Sequence, residues 1–397
     1  MAFRQRSCRS NIGNVWLSCN KKERTCLNIL IVSLRGPTNE ERRGGAQDYV
    51  QYIAAPWIDQ GHEVTILCSQ ELLDNKLLPD VEVVSGINIT RVGTPKHRIL
   101  PLLKKTREMV TDVDIVIENL MGFPLFLPIF LEQSKSIIAI KHHFEGKSFI
   151  TSQGLIKGYI GRFLEEIMQP LIYRRTPFVV VSRKTLAEMN NKWVKPKADV
   201  VIIPPGIAPL KLNPDAKKYS DPTVIYYGAL DTGRKKVDHL ITAFKLVLEE
   251  IPSARLVIGG QGPDGKMLKK MAESMPVEFL GFLSEESKCE LLEKGWLFSS
   301  PSMTEGFGIT WIEANSAGLP VVAYDLNLDT IDESCARAVE KGNINQLASA
   351  IIELLSNDEL RRMMMHSARL NAKRFDWNRS SEALLEFINK VNSNVHV

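Results

Sequence analysis

From Leu27 onward the chain alternates short, continuous runs of aliphatic and β-branched residues with longer segments of helical period, and it does so in two successive series. Leu27-Asn-Ile-Leu-Ile-Val-Ser33 shows no polar alternation, so it reads as a strand covered on both faces, the setting of a parallel sheet. Arg42-Arg43-Gly44-Gly45-Ala46, a helix to about Gln60 and a second strand Glu63–Cys68 follow. Further strands are expected at Ile115–Ile117, Ile137–Ile140, Phe178–Val181 and Val200–Ile203, separated by helical patterns such as Leu155–Tyr173. Strands and helices in this alternation predict an α/β doubly wound parallel sheet.

At 397 residues the chain exceeds one ordinary core. The polar, proline-bearing stretch 208–222 has no clear period and is expected to link two domains, 27–207 and 223–375. The second series runs through strands Thr223–Tyr227, Arg255–Ile258, Val277–Leu280, Trp296–Ser299 and Val321–Tyr324, with helices Asp238–Glu250, Lys266–Ser274 and Glu285–Lys294 between them. Helices near Ile344–Leu355, Asp358–Arg374 and Ser380–Val391 close the chain.

The chemistry concentrates in Ser302-Met-Thr-Glu305-Gly306-Phe307-Gly308-Ile-Thr-Trp-Ile-Glu313, where two carboxylates eight positions apart flank a glycine turn and a helix start. Gly306 and Gly308 let backbone amides approach a ligand without Cβ interference, and a helix N-terminus suits a phosphate or pyrophosphate. Glu305 beside the turn can accept hydrogen bonds from hydroxyls, and Glu313 has the reach of a ribose diol. A nucleotide sugar has all of these parts. The arrangement resembles the Glu-x7-Glu motif of retaining glycosyltransferases of the GT-B fold, family 4. The resemblance covers about Leu27 to Trp377 and implies two Rossmann-like domains facing a central cleft. It also implies that Glu305 contacts the donor sugar, that Glu313 contacts the ribose, and that the last helix, 376–397, crosses back onto the first domain.

Gly228-Ala229-Leu-Asp-Thr-Gly-Arg234-Lys235 places a glycine turn and clustered cations after a strand, which suits a diphosphate leaving group. The family has an Arg directly after this Gly and a Lys further on. Lys235 matches the Lys, whereas Ala229 stands at the Arg position, so whether Arg234 substitutes is open. Gly259-Gly260-Gln261-Gly262-Pro263 resembles the family's Gly-x-Gly-Pro turn at the nucleotide edge. Gly260 to Lys266 also fits a P-loop spacing, but Met267 stands where magnesium chemistry needs Ser or Thr. His142 and His143 follow a strand, where ligands of doubly wound sheets lie. The family's His at this strand end matches His142. Gly44-Gly45 matches a glycine pair that in the family lets substrates approach the first domain.

Other classes are disfavoured. A net charge of +4 does not by itself imply a nucleic-acid partner. No run of 18 apolar residues exists, so no membrane span is expected. Six cysteines fit neither a zinc pattern nor a disulfide framework and point to a reducing, cytoplasmic setting. Asp112-Val-Asp114 precedes its strand and reads as a solvated turn, so no metal ligand is assigned. Residues 1–26 are basic and read as a disordered extension or as a membrane-surface tether. Lys157, Arg162, Arg174 and Arg175 accompany the apolar residues of Leu155–Tyr173. That pattern fits peripheral membrane contact on the cytoplasmic face, or a core-facing helix with a wet side.

The expectation is therefore a retaining, metal-independent glycosyltransferase that takes a nucleotide-diphosphate sugar as substrate and needs no cofactor. Its acceptor is a glycan, a lipid-linked saccharide or a small molecule. The residues expected to act are Glu305, His142, Lys235 and Arg234. Glu313, Gly306, Phe307, Gly308, Gly228, Gly260, Gly262, Gly44 and Gly45 are expected to bind the donor. A nucleotide-sugar isomerase of the same fold and a catalytically silent nucleotide-sugar-binding protein are the alternatives.

Overall fold

A computed structural model describes residues 26–38, 45–73, 76–121, 123–131, 136–146, 154–193, 196–208, 210–213 and 215–395. Nearly all of the basic N-terminal stretch, together with Gly44, lies outside the described residues.

The first half is built on β1 (Asn28–Ser33), β2 (Glu63–Ser69), β3 (Val81–Val84), β4 (Ile87–Val92), β5 (Ile115–Leu120), β6 (Ser136–Lys141), β7 (Phe178–Val180) and β8 (Val200–Ile202). They form one sheet in the order β8-β7-β6-β5-β1-β2-β4-β3, parallel except at the β3–β4 edge. In β1, Ile29 and Ile31 join one core cluster and Leu30 and Val32 another. Both faces are covered, which is why the run lacks polar alternation. The edge hairpin turns at Ser85 (φ 51°) and Gly86 (φ 78°). Two left-handed residues in a two-residue loop match the twist of paired strands.

The second half contains β9 (Thr223–Tyr227), β10 (Arg255–Gly259), β11 (Val277–Gly281), β12 (Leu297–Ser300), β13 (Val321–Tyr324) and β14 (Ala336–Val339). Its sheet is wholly parallel in the order β11-β10-β9-β12-β13-β14. The two sheets give the two-domain α/β architecture expected from the alternating pattern. In each, the strand order reverses beside the first strand, between β1 and β5 and between β9 and β12. Ligands of such sheets bind outside the carboxyl ends of the strands at that reversal.

Helices cover both sheets. Among them are α1 (Gly45–Asp59), α2 (Ile99–Met109), α3 (Leu155–Phe163), α4 (Gln169–Ile172), α5 (Arg183–Lys192), α6 (Val237–Glu250), α7 (Gly265–Met271), α8 (Glu285–Lys294), α9 (Ile309–Ser316), α10 (Ile344–Ser356), α11 (Asp358–Ala372) and α12 (Trp377–Val395). One π-helical turn, Leu164–Met168, joins α3 to α4.

The chain crosses between the halves twice, and the two crossings touch. Ile207 N donates to Phe375 O at 3.2 Å and Ser380 Oγ to Pro204 O at 2.7 Å. A Cβ on Gly206 would lie 2.2 Å from Trp377 N, so only glycine fits the approach. Beyond the second crossing, Leu384, Phe387 and Ile388 of α12 enter the core of the first half, and Trp57 Nε1 donates to Ser381 O at 3.2 Å. Leu210, Leu212 and Tyr219, within 208–222, pack on the second half, where Tyr219 N donates to Lys294 O.

Candidate functional site

The loops after β6, β9 and β12 and the start of α1 surround a cavity of about 450 Å³ between the halves. From the first half it takes Gly45, Tyr49, His142, His143 and Glu145. From the second it takes Arg234, Lys235 and the run Thr304–Thr310.

Two of these loops leave the strands that flank the reversal in the second sheet, and they are tied together. The Asp231 carboxylate accepts from Arg234 N at 2.6 Å and Lys235 N at 2.9 Å, curling the loop so that both cations face the motif. Met303 N then donates to Arg234 O at 2.8 Å. Lys235 Nζ reaches Glu305 Oε1 at 2.5 Å, and Arg234 Nη1 lies 3.6 Å from Glu305 Oε2. Burial alone would raise the Glu305 carboxyl. Lys235 and Arg234, with hydrogen bonds from Lys235 and Ser302, outweigh it and hold the group below its ordinary range. Glu305 is therefore an ionised acceptor, and the cations beside it are available to a competing anion.

The next residues are shaped by close approach. A Cβ on Gly306 would sit 2.7 Å from His142 O, so the turn slides under the β6 loop only because it has none. Ser182 Oγ donates to Gly306 O at 2.9 Å and Lys184 Nζ to Glu305 O at 3.0 Å. Phe307 packs its ring 5.2 Å from that of Phe375. Gly308 (φ 86°) opens α9 without any side-chain cap, leaving first-turn amides directed at the cavity end of the helix. Gly45 faces Ile309 across the gap, where a Cβ would be 3.1 Å from its Cδ1.

His142 is buried beside Tyr49, its ring centroid 5.2 Å from the tyrosine's in an edge-on contact. Its Nε2 lies 2.7 Å from Asn119 Oδ1. The Asn119 amide nitrogen donates to Ser33 Oγ and Ala46 O, so the oxygen must receive a proton from Nε2. The lone pair is thus on Nδ1. Burial, with His143 and Lys141 nearby, pushes this imidazole down to about 3 and keeps it neutral. His143 Nε2 meets Glu145 Oε1 at 2.7 Å, and this bond is the main cause holding the Glu145 carboxyl low. The loop that carries them is pinned from behind. Glu165 accepts from Glu145 N and Gly146 N and pairs with the buried Lys141 at 2.9 Å.

Four expected residues are not brought to this cavity. Glu313 lies inside the second half, with Tyr227 OH 2.7 Å from Oε2 and Lys288 Nζ 2.9 Å from Oε1. Burial would lower the Lys288 ammonium, but Glu313 and Glu285 outweigh it and raise it. Gly228, Gly260 and Gly262 shape the neighbouring loops. A Cβ on Gly260 would meet Gly228 O at 1.9 Å, and one on Gly262 would meet Leu230 O at 2.3 Å. Gly260 and Gly262 also border a second, more open cavity with Leu230 and Lys266. Gly44 lies outside the described residues.

Asn119, Ser182, Lys184, Tyr227 and Lys288 escape the sequence reading. Asn119 alone leaves a trace, since Glu118-Asn119 are consecutive polar residues ending a buried apolar strand.

Residues 43–209 match the family model Glycosyltransferase Family 4, and residues 211–371 match Glycosyl transferases group 1. The chain belongs to glycosyltransferase family 4. Among curated relatives, this glycosyltransferase is 24% identical over 377 residues to a phosphatidyl-myo-inositol mannosyltransferase of Mycolicibacterium smegmatis, covering 88% of this chain and 90% of the relative. A poly(glycerol-phosphate) alpha-glucosyltransferase of Bacillus subtilis is 32% identical over 174 residues, 42% of this chain and 25% of that protein. In fold, the glycosyltransferase is similar to sucrose-phosphate synthase from Thermosynechococcus elongatus, with a TM-score of 0.76 at 18% identity over 93% of this chain and all of that one. WaaG, a glycosyltransferase of lipopolysaccharide biosynthesis, gives a TM-score of 0.70 at 19% identity over 90% of this chain and 99% of its own. Both likenesses place the fold as GT-B.

Proposed function

We propose that this glycosyltransferase moves a sugar, with retention of configuration and without a metal ion, from a nucleoside-diphosphate sugar to a hydroxyl acceptor. The observation that carries the reading is the pairing of Lys235 and Arg234 with Glu305 beside the uncapped start of α9. A diphosphate gains charge as its bond to the sugar breaks, and two preorganised cations plus helix amides stabilise that charge. They supply positive charge where a metal would otherwise serve. Glu305, released toward the sugar, accepts from its hydroxyls, and neutral His142 offers Nδ1 as a second acceptor. Glu313, which Tyr227 and Lys288 hold outside this cavity, keeps in this reading the ribose contact that the family resemblance implies.

Both carboxylates at the cavity, Glu305 and Glu145, are held ionised. Neither is the protonated acid that two-carboxylate glycosidases use, which supports displacement on one face with a leaving phosphate oxygen taking the acceptor's proton. Closure of the halves excludes water and limits donor hydrolysis. HepE from Anabaena, similar in fold at a TM-score of 0.69, was solved in complex with UDP and glucose, which supports a nucleotide donor here. The mannosyltransferase relative is named for a phosphatidylinositol acceptor, which supports a lipid-linked acceptor at the cytoplasmic face of a membrane. No helix among the described residues is long and apolar enough to cross one.

The test is calorimetry of nucleoside diphosphates and their sugars with and without magnesium, followed by anomer analysis of transfer products by NMR. Metal-independent binding and a retained anomer are expected. A rearranged nucleotide sugar in the absence of acceptor would replace the reading with an isomerase, and binding without turnover would replace it with a silent binder.

A further inference from the structure

The helix that follows the His142–Gly146 loop is turned inside out. Along α3, the π-helical turn and α4, the buried positions are Gly158, Gly161, Glu165 and Gln169, with Pro170. Leu155, Ile156, Tyr159, Ile160, Phe163 and Leu171 are instead 49% to 79% exposed. Covering a large apolar side chain is worth about 1.5–3 kcal/mol, so a face of this composition stands in water at a cost unless something apolar covers it.

The charges around the face define what covers it. Lys157 near its start and Arg174 and Arg175 just past its end are exposed, whereas Glu166 is held by Arg162 at 3.0 Å and Glu165 points into the protein. A second copy docked about a twofold axis would bring Lys157 against another Lys157, or against Arg174 and Arg175, and like charges would meet. An anionic lipid surface meets all of them favourably, at about 1 kcal/mol per basic residue near the headgroups.

We propose that this face docks on an anionic lipid bilayer and sets the mouth of the cleft at headgroup level. The placement follows from Glu165, whose carboxylate accepts from Gly146 N at 2.8 Å and from Glu145 N at 3.1 Å. A helix lying in the interface through its outer face therefore has its inner face bonded directly to the loop that presents His143 and Glu145 to the cavity. The inference deepens the function proposed above, and rests on it for one conclusion, that the acceptor hydroxyl belongs to a membrane lipid.

Flotation of the full chain with phosphatidylcholine vesicles, with and without phosphatidylglycerol, reads docking without any donor present. Binding to the phosphatidylglycerol vesicles at low salt, weakening as salt rises, is expected. The double variant Ile156→Ser/Phe163→Ser should bind about tenfold more weakly or less, with its melting temperature and donor hydrolysis unchanged. Lys157→Glu should remove much of the salt dependence. No binding by the wild-type chain, or equal binding by the double variant, overturns the proposal. A wild-type dimer in light scattering that the double variant fails to form overturns it too, by giving the face to a second copy. Docking without sugar transfer would keep this proposal and remove the function above, and transfer to a soluble alcohol without docking would do the reverse.

Discussion

The hydroxyl of Ser182 caps α5 by accepting from Thr185 N at 3.1 Å and, with its single proton, donates to Gly306 O across the cleft. Helix cap and interdomain clasp are thus one atom. Beside it, Arg183 N and its guanidinium both engage Asp329 of the other half.

Ser182→Ala should lose the cap, costing about 1 kcal/mol, and raise KM for the donor. Ser182→Asp keeps an acceptor for the Thr185 amide but has no proton for Gly306 and sets a buried carboxylate against that carbonyl, so it should lose stability and raise KM further. Equal KM values for wild type and Ser182→Asp, in steady-state kinetics, would remove the clasp from the mechanism.

Lys235→Ala should lower kcat by about 10²–10³, the usual loss when a preorganised charge partner is removed. With Lys235 gone, burial dominates at Glu305 and its carboxyl rises, so the activity of the variant should improve with pH in a way that the wild type does not show. Arg234→Ala, at a more exposed and longer contact, should cost less. Comparable kcat values in Lys235→Ala and wild type would be incompatible with the proposed leaving-group role.

Gly260→Ala tests the loop packing. Its Cβ would fall 1.9 Å from the Gly228 carbonyl, at a backbone φ of +122° that disfavours side chains. A loss of about 3 kcal/mol or more is expected, since neither the loop backbone nor the strand beneath it can yield cheaply. Thermal melting measures this, and an unchanged midpoint would contradict the packing.

His142 makes acid stability measurable. The unfolded imidazole takes a proton near its ordinary value of about 6.5, whereas the folded one does so only near 3. The unfolded state therefore binds more protons in that window, and stability present above it is lost as pH falls, by about 1.4 kcal/mol per unit. Between about pH 7 and about pH 5 the wild type should lose about 2 kcal/mol more than His142→Asn in denaturant titrations. Parallel losses would mean that His142 titrates normally.

The parallel strands and the Glu305–Gly308 turn were legible because each is written in contiguous residues: an apolar run, a glycine turn, a helix start. The β3–β4 hairpin is not legible, although Val81 and Val83 flank Glu82 just before Ser85-Gly86. Half-exposed valines look like a weak strand until a partner is found. Asn119 and Ser182 enter the site through contacts with His142 and Gly306, 23 and 124 positions away. Periodicity carries no information at that range. Gly260 and Gly262 read in the sequence as a nucleotide-edge turn, and the fold adds a second demand on them, the close approach of the protein's own β9 loop.

The chain leaves the first half at Ile207 and returns beside the same point at Phe375, so the second half is an insertion within the first. Swapping the second half between relatives therefore calls for two adjacent splice points. A chimaera with one crossover would lay one parent's α12, with Leu384, Phe387 and Ile388, onto the other parent's sheet. Homologous recombination within this family must meet the same constraint, and exchanges that respect both junctions are the ones whose progeny should fold.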